Sequence, residues 1–416
     1  MQLQTILNRV GKHSSFVYDA VRWTDETHAA LEVTIRARAG SRPRCSGCGQ
    51  RRGAYDRLAT RRFEFVPLWG LLVYFVYAMR RVDCPRCGVI VEWVPWAEGK
   101  SPITHAYAWV LAHFAKRMSW KEVAEIFHTS WESVYRAVRI AVDWGLKHRQ
   151  IESVESIGVD EILWQRGHRY LTVVYQIDAG CRRLLWVGLE RKKETLEAFF
   201  DSFGEVATAR LRFVCSDMWR PYLDVVKARA AQAVHVLDRY HIVAKLNEAL
   251  DDVRAEEAKR MKAEGCEPLL KHSRWALLKN PWHLTQRQSE KLSELVRYNL
   301  KTLRAYLLKE EFQLLWGYTS PAEAGRYLDR WCTRALRSRI DPVKKVARTL
   351  RSHRSLILNW FHARGQISGG AVEGFNHKAK LTFRKAHGFR SFEVAETALY
   401  HTLGKLPGPE CIHRFF

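Results

Sequence analysis

Apolar and polar positions change their period twice along the chain, at about Ser101 and at about Ser153. Before the first change, alternating runs such as RRFEFVPLWGLLVYFVYAM predict strands, because a period of two puts one face of an extended chain into a core. Between the two changes the spacing predicts short helices. The third stretch opens with the strand-like runs SIGVDEILW, YLTVVYQID and RLLWVGL. An amphipathic helix follows, with Leu196, Phe199, Phe200 and Phe203 on one face and Gly204 as its stop. The strand LRFVCSD, a helix with Pro221 near its first turn and the strand AVHVLD complete an order of three strands, helix, strand, helix, strand. From Tyr240 to about Gly365 the pattern is helical, and one last helix is predicted from about Gly370.

A chain of 416 residues that is 47% hydrophobic exceeds what one core usually holds, so two or three domains are expected. Its 68 Lys and Arg against 44 Asp and Glu give a net charge of +24, which points to a polyanion, nucleic acid before an acidic membrane surface. The longest apolar stretch, Trp69 to Met79, is too short to span a bilayer and is flanked by arginines. MQLQTILNRVGKHSS lacks the apolar core of a secretory signal, so a cytoplasmic, nucleoid-associated protein is expected. Nine cysteines, four of them in two pairs, suit a reducing compartment rather than a disulfide framework.

Those pairs are Cys45 and Cys48 in CSGCGQ and Cys84 and Cys87 in CPRCGV. Each supplies two thiolates from one tight turn, and the glycine after each lets backbone amides approach the sulfurs, as tetrahedral structural zinc requires. The alternatives are chance pairs or a redox motif, but redox motifs come singly beside a βαβ unit. Cys181, Cys215, Cys266, Cys332 and Cys411 are read as small core or surface residues.

The segment THAYAWVLAHFAKRMSWKEVAEIFHTSWESVYRAVRIAV reads as a helix-turn-helix. Ser119 with Glu122 and Thr129 with Glu132 form predicted capping boxes around the middle helix. Val134, Val138 and Ala141 share a core face, which leaves Ser133, Arg136 and Arg139 for the DNA major groove. An ordinary three-helix bundle with solvated arginines is the competing reading.

Cutting a phosphodiester calls for divalent metal and hence for carboxylates gathered by the fold. Asp160 lies in SIGVDEILW on the strand face that carries Gly158 and Ile162, where a lone carboxylate is costly unless it binds something positive. Asp217 ends the strand run RFVCS, although it could equally cap a helix starting at Met218. Glu373 opens a helix after SGG. Glu161 alternates to the opposite strand face from Asp160, while Asp178 and Asp238 also end strand-like runs. Asp238 has two readings, an extra ligand or a helix cap, and His241 could contact DNA or satisfy a core hydrogen bond.

Taken in order, these motifs resemble those of the bacterial insertion-sequence transposases of the ISL-three family. The likeness covers nearly the whole chain: the paired CxxCG knuckles, the helix-turn-helix, GVDE at Asp160, SDMWRPY at Asp217, LDRYH at Asp238 and VEGFNHKAKLTFRKAHGF, with Glu373, Gly374, Asn376, Lys380, Arg384 and Gly388 at the family's positions. Tyr240 stands where a Phe is common.

The resemblance implies an α+β multidomain protein with a ribonuclease H-like core interrupted by a helical insertion. Its catalytic acids are Asp160, Asp217 and Glu373, holding Mg²⁺ or Mn²⁺. The expected domains are a zinc ribbon over 1–100, a helix-turn-helix over 101–152, the first part of the core over 153–239, the insertion over 240–366 and the last part of the core over 367–416. The implied activity is DNA cleavage and strand transfer at terminal inverted repeats, by at least a dimer on DNA. Lys380 and Arg384, one turn apart beyond Glu373, are candidate phosphate contacts. In the insertion, Arg330, Arg334, Arg337, Lys344, Lys345, Arg348 and Arg351 form a candidate DNA-tracking stripe. A regulator with a silent catalytic domain is the alternative from another class, and a structure-selective nuclease a third.

Overall fold

The computed structural model describes residues 3–24, 29–151, 153–165, 167–266, 268–298, 300–363, 367 and 369–409. Cys411 lies outside them. The chain divides into two compact units, Met1–Arg149 with Arg384–Phe416 and, separately, Gln150–Phe383. Residues 384–416 thus group with the N-terminal unit, whereas the sequence predicts one catalytic segment over 367–416.

The first unit begins with α1 (Leu3–Val10) and five strands, β1 (Phe16–Trp23), β2 (Ala30–Ala37), β3 (Gly53–Leu68), β4 (Leu71–Cys84) and β5 (Gly88–Val91), in the order β1-β2-β4-β3 with β5 on β4. The apolar run from Trp69 to Met79 is therefore mostly sheet. Trp69 and Gly70 make the β3–β4 turn at φ 50° and 85°, and only glycine adopts such angles freely. Phe16, Phe63, Phe75, Tyr77 and Trp96 build an aromatic core under the sheet. Three helices follow, α2 (His105–Ala115), α3 (Trp120–Ile126) and α4 (Trp131–His148).

The second unit is built on β6 (Ser156–Gln165), β7 (Arg169–Ile177), β8 (Arg182–Leu189), α5 (Lys193–Phe203), α6 (Glu205–Ala209), β9 (Phe213–Ser216), α7 (Arg220–Arg229) and β10 (Val234–Leu237). The strand order is β10-β9-β6-β7-β8. Strands β6, β7 and β8 run antiparallel in sequence, and β9 and β10 run parallel to β6. Gly204 ends α5 at φ 83° as the pattern predicts. Phe199 and Phe200 of α5 and Tyr222 and Val226 of α7 bury one face of this sheet against Ile157, Val159 and Val174.

Beyond β10 come α8 (Arg239–Ala263), α9 (Arg274–Leu278), α10 (Gln286–Leu295), α11 (Lys301–Gln313), α12 (Pro321–Arg337), α13 (Asp341–Ser352) and α14 (Arg354–His362). They share a core around Phe312, Leu328, Trp331 and Leu350. A buried acid fixes one joint in it. Glu257 of α8 accepts from Lys301 N at 3.0 Å and Thr302 N at 2.8 Å, capping the positive end of α11 from another helix. Helix α15 (Gly369–Lys385) completes the second unit and runs two residues into the first, where α16 (Phe392–Leu403) packs on α4.

Candidate active site and metal centre

Strand register places three aspartates level with one another. Gly158 pairs with Cys215, so Asp160, two residues on, lies level with Asp217. Ser216 pairs with Leu237, so Asp217 and Asp238 each stand one residue past a paired strand end. Asp217 and Asp238 sit just past the ends of the parallel strands β9 and β10, the usual place for a ligand in such sheets, and Asp160 lies level with them inside β6, two residues beyond its last pair with β9.

Helix α15 reaches the same end because of a glycine. A Cβ on Gly158 would stand 2.4 Å from Val372 Cγ2, so only glycine lets the helix lie on that face of β6. Phe375 stacks on Tyr175 with centroids 4.8 Å apart. Asn376 Nδ2 donates to Asp160 Oδ2 at 2.5 Å, while Tyr175 Oη donates to Asn376 Oδ1 at 2.9 Å. Asp160, Asn376 and Tyr175 are all buried, so this chain of hydrogen bonds fixes the strand acid and the helix together. Glu373, one turn before Asn376, is exposed.

Two cations stand among the acids. Arg191, just after β8, bridges Glu161 Oε1 at 2.6 Å and Asp217 Oδ2 at 2.8 Å, and its guanidinium lies 4.6 Å from the Trp219 ring centroid. Burial, with the nearby Asp217 charge, pushes the Glu161 carboxyl up to about 7. His241 Nε2 lies 3.7 Å from Asp160 Oδ1 and 3.9 Å from Asp238 Oδ2. Its contact with Asp160 is the largest influence holding the imidazole up at about 9. Burial raises the Asp238 carboxyl.

The helix-cap reading of Asp238 has geometry behind it, since Oδ1 accepts from Tyr240 N at 2.9 Å at the start of α8. Its Oδ2 faces His241. Asp217 Oδ1 accepts from Trp219 N at 2.9 Å in a local turn, and α7 begins only at Arg220. Among the described residues, no three of these acids bring their ligand atoms within 4.8 Å of one another. Like charges hold them apart, and the donor set, hard oxygens at one sheet end with cations drawn in, fits a divalent ion. Arg191, Tyr175 and Tyr222, whose hydroxyl approaches Glu161, went unpredicted: Tyr175 is one polar tip in the apolar run LTVVYQI, and Arg191 is one cation among several in ERKKE, so neither carries a local signal.

The cysteines behave differently. Cys45, Cys48, Cys84 and Cys87 have all four sulfurs within 4.8 Å of one another, and Cys48 Sγ lies 3.6 Å from Cys84 Sγ. Four thiolates each about 2.3 Å from one zinc ion stand roughly 3.8 Å apart, so the cluster fits zinc. Backbone amides of Arg86 and Cys87 draw the Cys84 thiol down to about 6, and the amide of Cys48 lowers Cys45. Gly47 has Cys87 Sγ 3.0 Å from where a Cβ would be, so a side chain there would press on that sulfur.

In the three-helix segment the Ser119–Glu122 capping box is present, with Ser119 N donating to Glu122 Oε2 at 2.7 Å. The second predicted box is not. Ser130 caps α4 by accepting from Ser133 N at 3.0 Å, and Thr129 donates to Glu64 Oε2 at 3.1 Å instead. Ser133 flanks the buried face of Val134, Val138 and Ala141 and is itself buried with its hydroxyl on Ser130, so it does not face a groove. Arg136 is exposed. Arg139 is exposed but paired with Glu393 of α16 at 3.3 Å and Asp143 at 3.9 Å.

Glu373, Lys380 and Arg384 fall at i, i+7 and i+11 of α15, on one exposed stripe. The stripe expected in the insertion is exposed except at the half-buried Lys344, and it is interleaved with acids, since Arg334 pairs with Glu311 and Lys344 with Asp341.

The family model for the ISL-three class of DDE (three-carboxylate) enzymes, described as "Transposase", matches residues 157–399. The chain belongs to the ISL-three family of transposases. A transposase for insertion sequence element IS1557 of Mycobacterium tuberculosis is 34% identical over 388 residues, covering 87% of this chain and 86% of that one. A transposase for insertion sequence element IS1001 of Bordetella parapertussis is 28% identical over 391 residues, covering 93% and 95%. The ISL-three match starts at β6 and ends within α16, so it takes in every acid at the sheet end. Transposases act on DNA, in keeping with the charge of +24. No helix among the described residues is long and apolar enough to cross a membrane.

Proposed function

We propose that this transposase cuts DNA at the terminal inverted repeats of its insertion sequence and joins the freed ends to a target, using Asp160, Asp217 and Glu373. The observation that carries the reading is the placement of Asp160 inside β6 level with Asp217 just past the end of the adjacent parallel strand β9, with the Glu373 helix seated on Gly158 beside them. The sheet order, three antiparallel strands followed by two parallel to the first, supports a ribonuclease H-like core.

The three acids would hold Mg²⁺ or Mn²⁺, which supplies positive charge to the phosphate and to the attacking and leaving oxygens. Asn376 keeps the Asp160 carboxylate aimed along the sheet end, and Arg191 keeps Asp217 and Glu161 together until substrate arrives. Asp238 and His241 are accessory: the aspartate caps α8, and the imidazolium balances the buried carboxylates. Lys380 and Arg384 place backbone phosphates along α15 next to Glu373. Water attacks phosphorus at the element end, the bond to the 3′-oxygen breaks, and a 3′-hydroxyl leaves. That hydroxyl attacks a target phosphorus, and the target's own 3′-oxygen departs, so no covalent enzyme intermediate is needed.

Structural zinc in the four cysteines would hold the N-terminal unit for end binding, with Arg136 of the helix-turn-helix reading the duplex. Joining two ends calls for at least a dimer on DNA, acting in the cytoplasm on the nucleoid. Strand transfer is tested with a labelled duplex bearing a pre-cut element end and a plasmid target. A terminal 3′-hydroxyl should join in Mg²⁺ and a 3′-deoxy end should not. Joining of both, or of neither beside intact end binding, would contradict the reading, the latter favouring a DNA-binding regulator.

A further inference from the structure

We propose that the N-terminal unit holds a second DNA contact, a cleft beside the first cysteine knuckle that takes a backbone phosphate. The inference rests on the reading of the chain as a DNA-acting transposase and adds a site outside the acids, the helix-turn-helix and α15.

Lys12, Arg42, Arg44, Arg51 and Arg80 converge on this cleft from three separated parts of the chain. They come from the α1–β1 connection, from the knuckle loop and from β4. The hydroxyl residues Ser14 and Ser15 line it too, and no acidic residue does. The charge of Arg80 is answered below the cleft, where its guanidinium is paired with the buried Glu92 at 2.7 Å. Four cations are left with no carboxylate in the lining.

Their arrangement is built. Arg44 donates from Nε to Gly49 O at 2.8 Å and its guanidinium lies 5.0 Å from the Trp93 ring centroid, so its fork is oriented in advance. Arg51 donates from Nη2 to Ser15 Oγ at 3.2 Å, tying the two loops that form the walls. Lys12 and Arg42 are exposed and have no ion pair among the described residues. Solvated basic faces elsewhere in this chain alternate with acids, as on α12 and α13, because neighbouring like charges repel. A cleft that gathers four unanswered cations around hydroxyls matches a phosphodiester, whose oxygens accept from guanidinium forks and serine together.

The test is salt-dependent binding of the full chain to a labelled random-sequence duplex, followed by fluorescence anisotropy. Lys12→Gln with Arg42→Gln removes two cations that support no other contact. Lys259→Gln with Arg287→Gln removes the same charge from exposed sites in the insertion. The plot of log affinity against log salt should lose about one unit of slope in the cleft variant, at about 0.9 per phosphate contact, with Kd raised about eightfold in 0.1 M salt. The control should lose less than half of that. Equal losses in both variants, or an unchanged slope in the cleft variant while the wild type binds, would overturn the cleft alone. A wild-type chain that binds no duplex at any salt would remove the transposase reading along with it.

Discussion

At the residue scale, the buried polar groups carry the account. Glu92 accepts from Tyr77 Oη at 2.7 Å, Arg80 N at 2.7 Å and the Arg80 guanidinium, all inside the first unit. Glu92→Ala leaves a buried guanidinium without its partner and should destabilise that unit by roughly 3–5 kcal/mol, read by urea unfolding. A loss under 1 kcal/mol would show that water reaches Arg80. Little of this was legible in the sequence, since Glu92 sits in VIVEWVP with nothing to mark it as buried. The cysteine pairs were legible because spacing alone forces two sulfurs to one turn. Ser133 misled for the opposite reason: Val134, Val138 and Ala141 are buried as the period predicts, but the buried stripe is wide enough to take in Ser133 beside them, and periodicity gives the centre of a face rather than its width.

At the element scale, the close seat of α15 on β6 is the joint on which the site depends. Gly158→Ala drives a methyl group into Val372, an overpacking worth about 1–3 kcal/mol, and should depress cleavage by displacing the helix of Glu373. Val372→Ala added to it should restore both stability and cleavage, whereas restoration of stability alone would mean that the helix position does not limit the chemistry. Gly158 was foreseen on the Asp160 face, but the contact that makes it necessary spans more than two hundred residues and is invisible to local pattern. The knuckles behave as a second such joint. Purified protein should carry one zinc per chain, and Cys84→Ser should abolish it and lower the melting temperature. A variant with unchanged metal content would show that the four thiols serve another purpose. Strands β6 to β10 and the helical insertion were legible because their periods and stops are local, and the return of α16 to the first unit was not.

At the scale of the whole molecule, two histidines buried in different units set the response to acid. Burial lowers His235 to about 4 and His401 to about 3, so both are neutral in the folded protein. Below a pH of about 6.5 the unfolded chain takes up protons that the folded one does not, so stability falls as pH drops, by about 2 kcal/mol per histidine at about pH 5. His401→Gln should flatten the fall in melting temperature between pH 7.5 and 5, and an unchanged profile would assign the acid sensitivity elsewhere. Net charge, the sheet-end acids and family membership meet in one claim, that Asp160, Asp217 and Glu373 act as a unit on DNA. The direct measurement is cleavage of labelled DNA spanning the gene and both flanks in Mg²⁺, by the wild type and by Asp160→Asn, Asp217→Asn and Glu373→Gln. The account predicts discrete cuts at the element borders by the wild type and none by any of the three, with border binding retained by all. Border cuts that persist in any one of the variants would contradict it.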